Sequence, residues 1–312
     1  MITLLDNVDA NRYCQRGVTR IILVCLVAAC LSACGGGGRE AGPGAGALPV
    51  VASTNVYGDI VRQIGGANVT VTSVLQDPNA DPHLFEPGTS NSLAVARAKI
   101  VLQNGLGYDA FMTKLEDAAP NGGRAVVTMA DVLGISGKDA NPHLWYDVPL
   151  LGRIARAIAG AFTEADPSHA AAYGRRLRRF ERSLGPLRRE VTTIRARFHG
   201  APVAYTEPVP GYLVTAAGLR NLAPESFTRP IEEGTEPSPS GVAAMSSLVA
   251  HHRIRVLLYN SQAVSPITAR LRSAAESAGI PVVGVSETLP AGQTFQQWQL
   301  GQARAIEAAL AR

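Results

Sequence analysis

From residue 48 to the C-terminus, short runs of aliphatic and β-branched residues alternate with longer amphipathic segments. This rhythm limits the chain to few architectures. Strands are expected at 49–53, 69–74, 100–103 and 125–129, with helices at 56–64, 90–98 and 109–118 between them. Thr89 or Ser90 suits the N-cap of the second helix, because a hydroxyl there can accept from a free backbone N–H. The rhythm returns with strands at 203–205, 255–259 and 281–285 and helices at 211–217, 240–251, 266–278 and 294–311. Parallel strands need a crossover long enough to be a helix, so the expected fold is α/β. It has two lobes, 48–147 and 200–312, each a mostly parallel sheet flanked by helices.

Residues 148–199 join the lobes as two helical segments, 148–163 and 168–198, separated by Asp166-Pro167. In the second, Tyr173, Leu177, Phe180, Leu184, Leu187, Val191, Ile194 and Phe198 recur at spacings of four and three, which gives one apolar face. At 1.5 Å per residue such a helix runs ~45 Å, long enough to brace both lobes. Gly185-Pro186 predicts a kink within it, because proline loses a hydrogen bond and crowds the preceding turn. A coiled-coil partner would also fit the stripe; packing across the chain's own lobes is the simpler account.

All four cysteines of the 312 residues (Cys14, Cys25, Cys30 and Cys34) fall in the first 34. A disulfide, a thiolate zinc site and a cysteine nucleophile are thereby excluded from the rest of the chain. Arg16 and Arg20 precede an apolar stretch from Ile21 to Leu31, too short for a stable span, which ends Leu31-Ser32-Ala33-Cys34. The pattern reads as a secretory signal, and its ending resembles the bacterial lipobox, in which the cysteine is lipidated. Residues 1–34 are therefore expected to be a lipoprotein signal peptide ending at the lipidated Cys34, and 35–47 a flexible Gly-rich tether. Residues 1–17 are long and acidic for an n-region, which a translation start near Val18 would explain. The formal charge is only +4, and the arginines between Arg175 and Arg197 form no recognised motif. That run reads as a solvated helix face, with no nucleic-acid partner.

Two of the six histidines share a local context: Asp81-Pro82-His83-Leu84-Phe85 and Asn141-Pro142-His143-Leu144-Trp145. Proline fixes its own φ and restricts the residue before it, so each imidazole is displayed from a stiff turn. A metal site needs this preorganisation. His169 reads as an exposed first-turn residue, and the adjacent His251 and His252 as residues near a helix end. His199 lies in an Arg-rich turn.

With these motifs, Ala52-Ser53-Thr54-Asn55-Val56-Tyr57, Asn104-Gly105 and Gly218-Leu219 make the chain from about Leu48 onward resemble the bacterial lipoproteins that serve zinc and manganese ABC importers. The resemblance implies a metal held by four side chains, two from each lobe. The first two carry over to His83 and His143. The third, a His or Glu followed by an aromatic five residues on and Gly-Leu eleven on, falls on Glu207, ahead of Tyr212 and Gly218-Leu219. His199 is its rival. The fourth, an acid beyond the Gly279-Ile280-Pro281 turn and its strand, falls on Glu287, with Glu276 as the competing choice.

The resemblance also implies the role: an exported monomer, lipid-anchored to the outer face of the bacterial cytoplasmic membrane. It captures a divalent transition-metal ion and delivers it to an ABC-type permease and its ATPase. Two imidazoles with two carboxylates make a harder set than three histidines, which favours Mn²⁺ slightly over Zn²⁺ and admits Fe²⁺. No histidine lies between His83 and His143, unlike the His-rich loop common in zinc-dedicated relatives. Two other classes fit the same residues, a surface adhesin with a structural metal and a metallohydrolase. The second lacks a His-Glu-x-x-His or Gly-x-Ser-x-Gly pattern, so no enzyme is expected.

Overall fold

The computed structural model describes residues 46–312; the export signal, Cys34 and most of the tether lie outside the described residues. Each of the two sheets has four strands, all parallel. The first consists of β1 (Leu48–Thr54), β2 (Val69–Leu75), β3 (Ile100–Gln103) and β4 (Ala125–Thr128), in the order β2-β1-β3-β4. Its crossovers are α1 (Asn55–Gly65), α2 (Thr89–Arg97) and α3 (Ala110–Ala118). Val50 sits between Val71 and Ile100, so the central strand is apolar on both faces, as burial beneath two helix layers demands.

The chain then leaves the sheet through α4 (Met129–Leu133), α5 (Leu151–Ala165), α6 (Ala170–Ser183) and α7 (Gly185–Phe198). The second sheet repeats the order as β6-β5-β7-β8, from β5 (Pro202–Tyr205), β6 (Arg220–Asn221), β7 (Val256–Asn260) and β8 (Val282–Val285). Its helices are α8 (Gly211–Ala216), α9 (Glu225–Glu232), α10 (Pro239–Ala250), α11 (Pro266–Ser277) and α12 (Phe295–Leu310). In both sheets the order reverses between the first and third strands. Open parallel sheets bind ligands beyond the strand C-termini at such a reversal. None of the described helices is long and apolar enough to cross a membrane.

Three details differ from the sequence reading. The N-cap of α2 is the extended Gly88, which makes no side-chain bond, and Thr89 and Ser90 lie inside the helix. The long second connector segment is two helices of 14 residues each, meeting at Leu184. Leu184 keeps turn geometry (φ −75°, ψ −9°), so Pro186 ends one hydrogen-bond ladder and starts another in its favoured first-turn place. The stripe itself packs inward, with Tyr173, Phe180, Leu184, Leu187, Val191 and Ile194 all buried. The third detail is β6 and α9, which periodicity does not announce. β6 has two residues, and α9 contains Pro230. That proline is tolerated near the helix end, where Thr235 folds back and donates its N–H (2.7 Å) and hydroxyl (3.1 Å) to the Pro230 carbonyl.

One apolar core runs through both sheets and the connector, from Val50 and Ile100 through Phe180 and Ile194 to Val203, Val256, Phe295 and Trp298. The C-terminal α12 packs on α7 and α1, a second brace beside the connector. Asn55 and Leu289 exchange two hydrogen bonds of 2.9 Å, and the Asp59 carboxylate accepts from the Phe295 N–H at 2.9 Å.

The place of α9 depends on Gly241 in α10, where a Cβ would stand 2.5 Å from the Ser226 carbonyl oxygen. Backbone cannot yield there as a flexible side chain would. Gly241→Ala should therefore lose about 1–3 kcal/mol in urea unfolding, the usual cost of overpacking. Gly284→Ala meets nothing within 4 Å and should change stability by less than about 0.5 kcal/mol. Equal stabilities for the two variants would refute the close packing.

Candidate metal centre

The C-terminal ends of the two sheets face each other, and four side chains meet between them. His83 stands in a one-turn 3₁₀ helix, Pro82–Leu84, capped by Asp81, whose carboxylate accepts from the His83 N–H at 2.9 Å. His143 precedes a second such turn, Leu144–Tyr146. The Asn141 side-chain oxygen lies 3.0 Å from the His143 backbone N and 2.8 Å from its Nδ1. With Nδ1–H donating to Asn141, Nε2 is the nitrogen directed at the cleft. The stiff Pro-His turns are thus each completed by an Asx side chain two residues before the histidine.

Glu207 follows β5 and Glu287 follows β8; both are buried, as is His143. His83 Nε2 lies 2.8 Å from Glu207 Oε1 and 3.7 Å from Glu287 Oε1, and His143 Nε2 lies 3.2 Å from Glu287 Oε2. Tetrahedral ligands at 2.0–2.1 Å from a metal are separated by ~3.4 Å. The three distances bracket that edge. Donor atoms of His83, Glu207 and Glu287 all fall within 4.8 Å of one another.

Asn260, the last residue of β7, binds the two carboxylates together. Its side-chain nitrogen donates to Glu207 Oε2 at 2.5 Å and to Glu287 Oε1 at 2.7 Å. The Glu287 backbone N–H donates to Gln262 Oε1 at 2.5 Å. On the other side, Asn104 donates to the Pro142 carbonyl at 2.8 Å and accepts from the Tyr57 hydroxyl at 2.6 Å. Asn141 crosses between lobes, donating to the Pro208 carbonyl at 2.7 Å. Gly211 is required beside it, since a Cβ there would come within 2.7 Å of the Asn141 amide nitrogen.

Burial alone would lower the His83 imidazole, but the Glu207 hydrogen bond and the charges of Glu287, Glu207 and Glu232 outweigh it and push it up to about 10. His143 shifts upward likewise: Glu232 and Glu287 overcome its burial. Burial works to raise Glu287, yet the His143 hydrogen bond and the two imidazolium charges hold it below the usual carboxylate range.

Two residues of this neighbourhood went unnoticed in the sequence. Asn260 is a polar end to an otherwise apolar strand, Val256-Leu257-Leu258-Tyr259-Asn260, and that termination was its signal. Glu232 lies on α9, the helix hidden by Pro230; its Oε2 is 3.9 Å from His143 Nδ1. Burial, with the charges of Glu207 and Glu287, raises its carboxyl to about 7. The two rivals lie elsewhere. His199 caps the end of α7, and Glu276 pairs with Arg272 on α11. His169 pairs with Asp166, while His251 and His252 are exposed beyond α10.

The family described as zinc-uptake complex component A, periplasmic, matches residues 50–309. A putative metal-binding protein of Treponema pallidum is 24% identical over 228 residues, covering 67% of this chain and 71% of the relative. The manganese-binding lipoprotein MntA of Bacillus subtilis is 30% identical over 146 residues, about half of each protein (44% and 46%). Among solved structures, the periplasmic zinc binding protein TroA of Treponema pallidum superposes with a TM-score of 0.72 at 22% identity, covering 86% of this chain and all of that one. FpvC of Pseudomonas aeruginosa, solved with Mn²⁺, also gives 0.72 at 20% identity, covering 85% and 98%. With the family match extending over both sheets and the connector, the chain belongs to the zinc-uptake complex component A family.

Proposed function

We propose that the chain is an extracytoplasmic substrate-binding lipoprotein that captures one divalent transition-metal ion between its two sheets and delivers it to an ABC-type importer, a permease with its ATPase. The observation that carries this reading is that His83, Glu207 and Glu287 present donor atoms within 4.8 Å of one another, with His143 Nε2 3.2 Å from Glu287 Oε2. These four are the proposed ligands. Two carboxylates neutralise the ion's charge, and the imidazoles supply nitrogen from the opposite lobe. Mn²⁺ is slightly favoured over Zn²⁺, and Fe²⁺ is compatible, because the oxygen-rich donor set is hard. Support for such a cargo comes from relatives named as manganese-binding lipoproteins and a neighbour named as a zinc binding protein.

The lipid anchor at Cys34, outside the described residues, and the tether of 35–47 would hold a monomer at the outer face of the cytoplasmic membrane. The lobes are 48–147 and 200–312, with 148–199 as connector. The site serves binding rather than catalysis. Its four groups are engaged with one another or with Asn260 and Asn141, which supports a holding role.

Mn²⁺ or Zn²⁺ should raise the melting temperature of the purified full-length protein; an ion at 100 times its Kd adds about 2.7 kcal/mol. The double variant His83→Ala/His143→Ala should melt at one temperature with or without ion. A wild type that neither ion stabilises would sink the reading.

Because His83 carries its proton up to about pH 10 without an ion, loading at pH 7 must expel it. At least about one proton should be released per ion, so affinity falls as pH falls. Calorimetry in buffers of different ionisation enthalpy measures the number, and ion uptake with no proton release would contradict the ligand assignment.

Asn260→Ala removes the donor shared by the two carboxylates. Supporting partners of this kind typically contribute 10–100-fold to metal affinity, so a loss of about that size is expected by competition titration. Unchanged affinity would show that Asn260 does not orient the pair.

A further inference from the structure

The gap between the lobes opens to solvent through a cavity of ≈ 930 Å³. His83 and Glu232 line it, whereas His143, Glu207 and Glu287 do not. The side-chain exposures follow the same division: 17% for His83 and 16% for Glu232, against 0% for the other three. An ion arriving from solvent therefore meets His83 and Glu232 before it reaches the buried carboxylates.

Glu232 is unusual in what it lacks. Its Oε2 is buried with no hydrogen-bond partner among the described residues. A buried carboxylate oxygen left without a donor is costly. Arg229, one turn away, turns outward to Asp139, Glu225 and Glu233. Its contact with Asp139, from the loop leading to His143, ties α9 across the cavity mouth. Tyr108 lines the same cavity, packs edge-on against the His143 ring at 5.7 Å, and buries a hydroxyl that also has no partner among the described residues. Donor atoms of Glu232, Glu207 and His143 fall within 4.8 Å of one another, a second grouping that shares Glu207 with the first.

We propose that Glu232 is a fifth metal-coordinating residue, which forms with Glu207, beside the His143 ring, an outer position where the incoming divalent ion is held before it moves onto the four inner ligands. The proposal rests on the reading of the cleft as a cation site. A hydrated divalent ion cannot enter a fully buried site in one step without shedding all its waters at once. Glu232 replaces some of those waters while the ion still faces the cavity. Glu207 then stays attached as Glu232 is exchanged for His83 and Glu287. Glu232 thus acts on the rates of loading and release more than on the depth of binding.

The test is stopped-flow Mn²⁺ loading of the full-length, detergent-solubilised protein, followed by tryptophan fluorescence. Trp145 is a suitable reporter, its ring 5.4 Å from that of His143. Glu232→Gln should slow both loading and chelator-induced release by about tenfold or more, with Kd changed by less than about threefold. Glu233→Gln removes an equal charge from the same cavity wall, where Glu233 pairs with Arg229. It should load within about twofold of wild type if contact rather than long-range attraction matters. Glu232→Asp, which keeps the charge on a shorter arm, should load at an intermediate rate, and melting curves check that all three variants fold. Wild-type loading by Glu232→Gln, or equal slowing in Glu233→Gln, overturns the proposal. So does a large loss of affinity at an unchanged loading rate, which would make Glu232 part of the resting site. A wild type that binds neither Mn²⁺ nor Zn²⁺ overturns the cation-site reading itself, and the proposal with it.

Discussion

Glu207 and Glu287 are held side by side, out of water, by the amide of Asn260 at 2.5 and 2.7 Å. Two carboxylates this close repel strongly where the dielectric is low, and a neutral amide offsets only part of that repulsion. The arrangement therefore demands positive charge, which the imidazoles of the other lobe carry as protons when no ion does. The sheet order makes it possible. β7 lies between β5 and β8, so its last residue falls between the two following loops. The Asn260 backbone N–H donates to the Thr206 hydroxyl at 3.0 Å, which fixes its height in that gap. One lobe thus concentrates the negative charge, and the other contributes nitrogen.

A two-lobed binding protein can close by a hinge or hold nearly still, and here the packing decides between them. Phe180 and Ile194 of the connector share one core with Val50 of the first sheet and Val256 of the second. Swinging the lobes widely apart would expose that core, at roughly 25 cal/mol for each Å² uncovered. The Asn55–Leu289 pair and the Asp59 bond to the start of α12 would also break. Adjustment is cheaper at the cleft mouth, in the Pro82–Leu84 turn, where Leu84 is exposed and His83 is only partly covered.

The parallel sheets were legible because their strands are fully apolar runs such as Ile100-Val101-Leu102, separated by helix-length segments. The histidines were legible because proline and an Asx residue leave a sequence trace around each one. The carboxylates were not legible from local pattern. Glu207 and Glu287 look like any strand-end acid, and only family spacing singled them out. Asn260 and Glu232 lay beyond both routes. Asn260 acts through long-range sheet order that no local window contains. Glu232 sits on a helix whose proline argues against helix locally, and which persists because Gly241 lets α10 press against it. The α2 cap misled for a related reason: Gly88 reaches the extended geometry of that position without a side-chain bond, one residue ahead of the hydroxyls.

His83 pairs with Glu207 and His143 with Glu287, so each contact crosses from one lobe to the other. These contacts are 2.8 and 3.2 Å long, near the spacing that coordination would impose. Exchange of proton for ion can proceed with little movement of the lobes, in keeping with the shared core. Three carboxylates face two imidazoles, with His83 and Glu232 nearest solvent, so an arriving cation meets donor geometry already present.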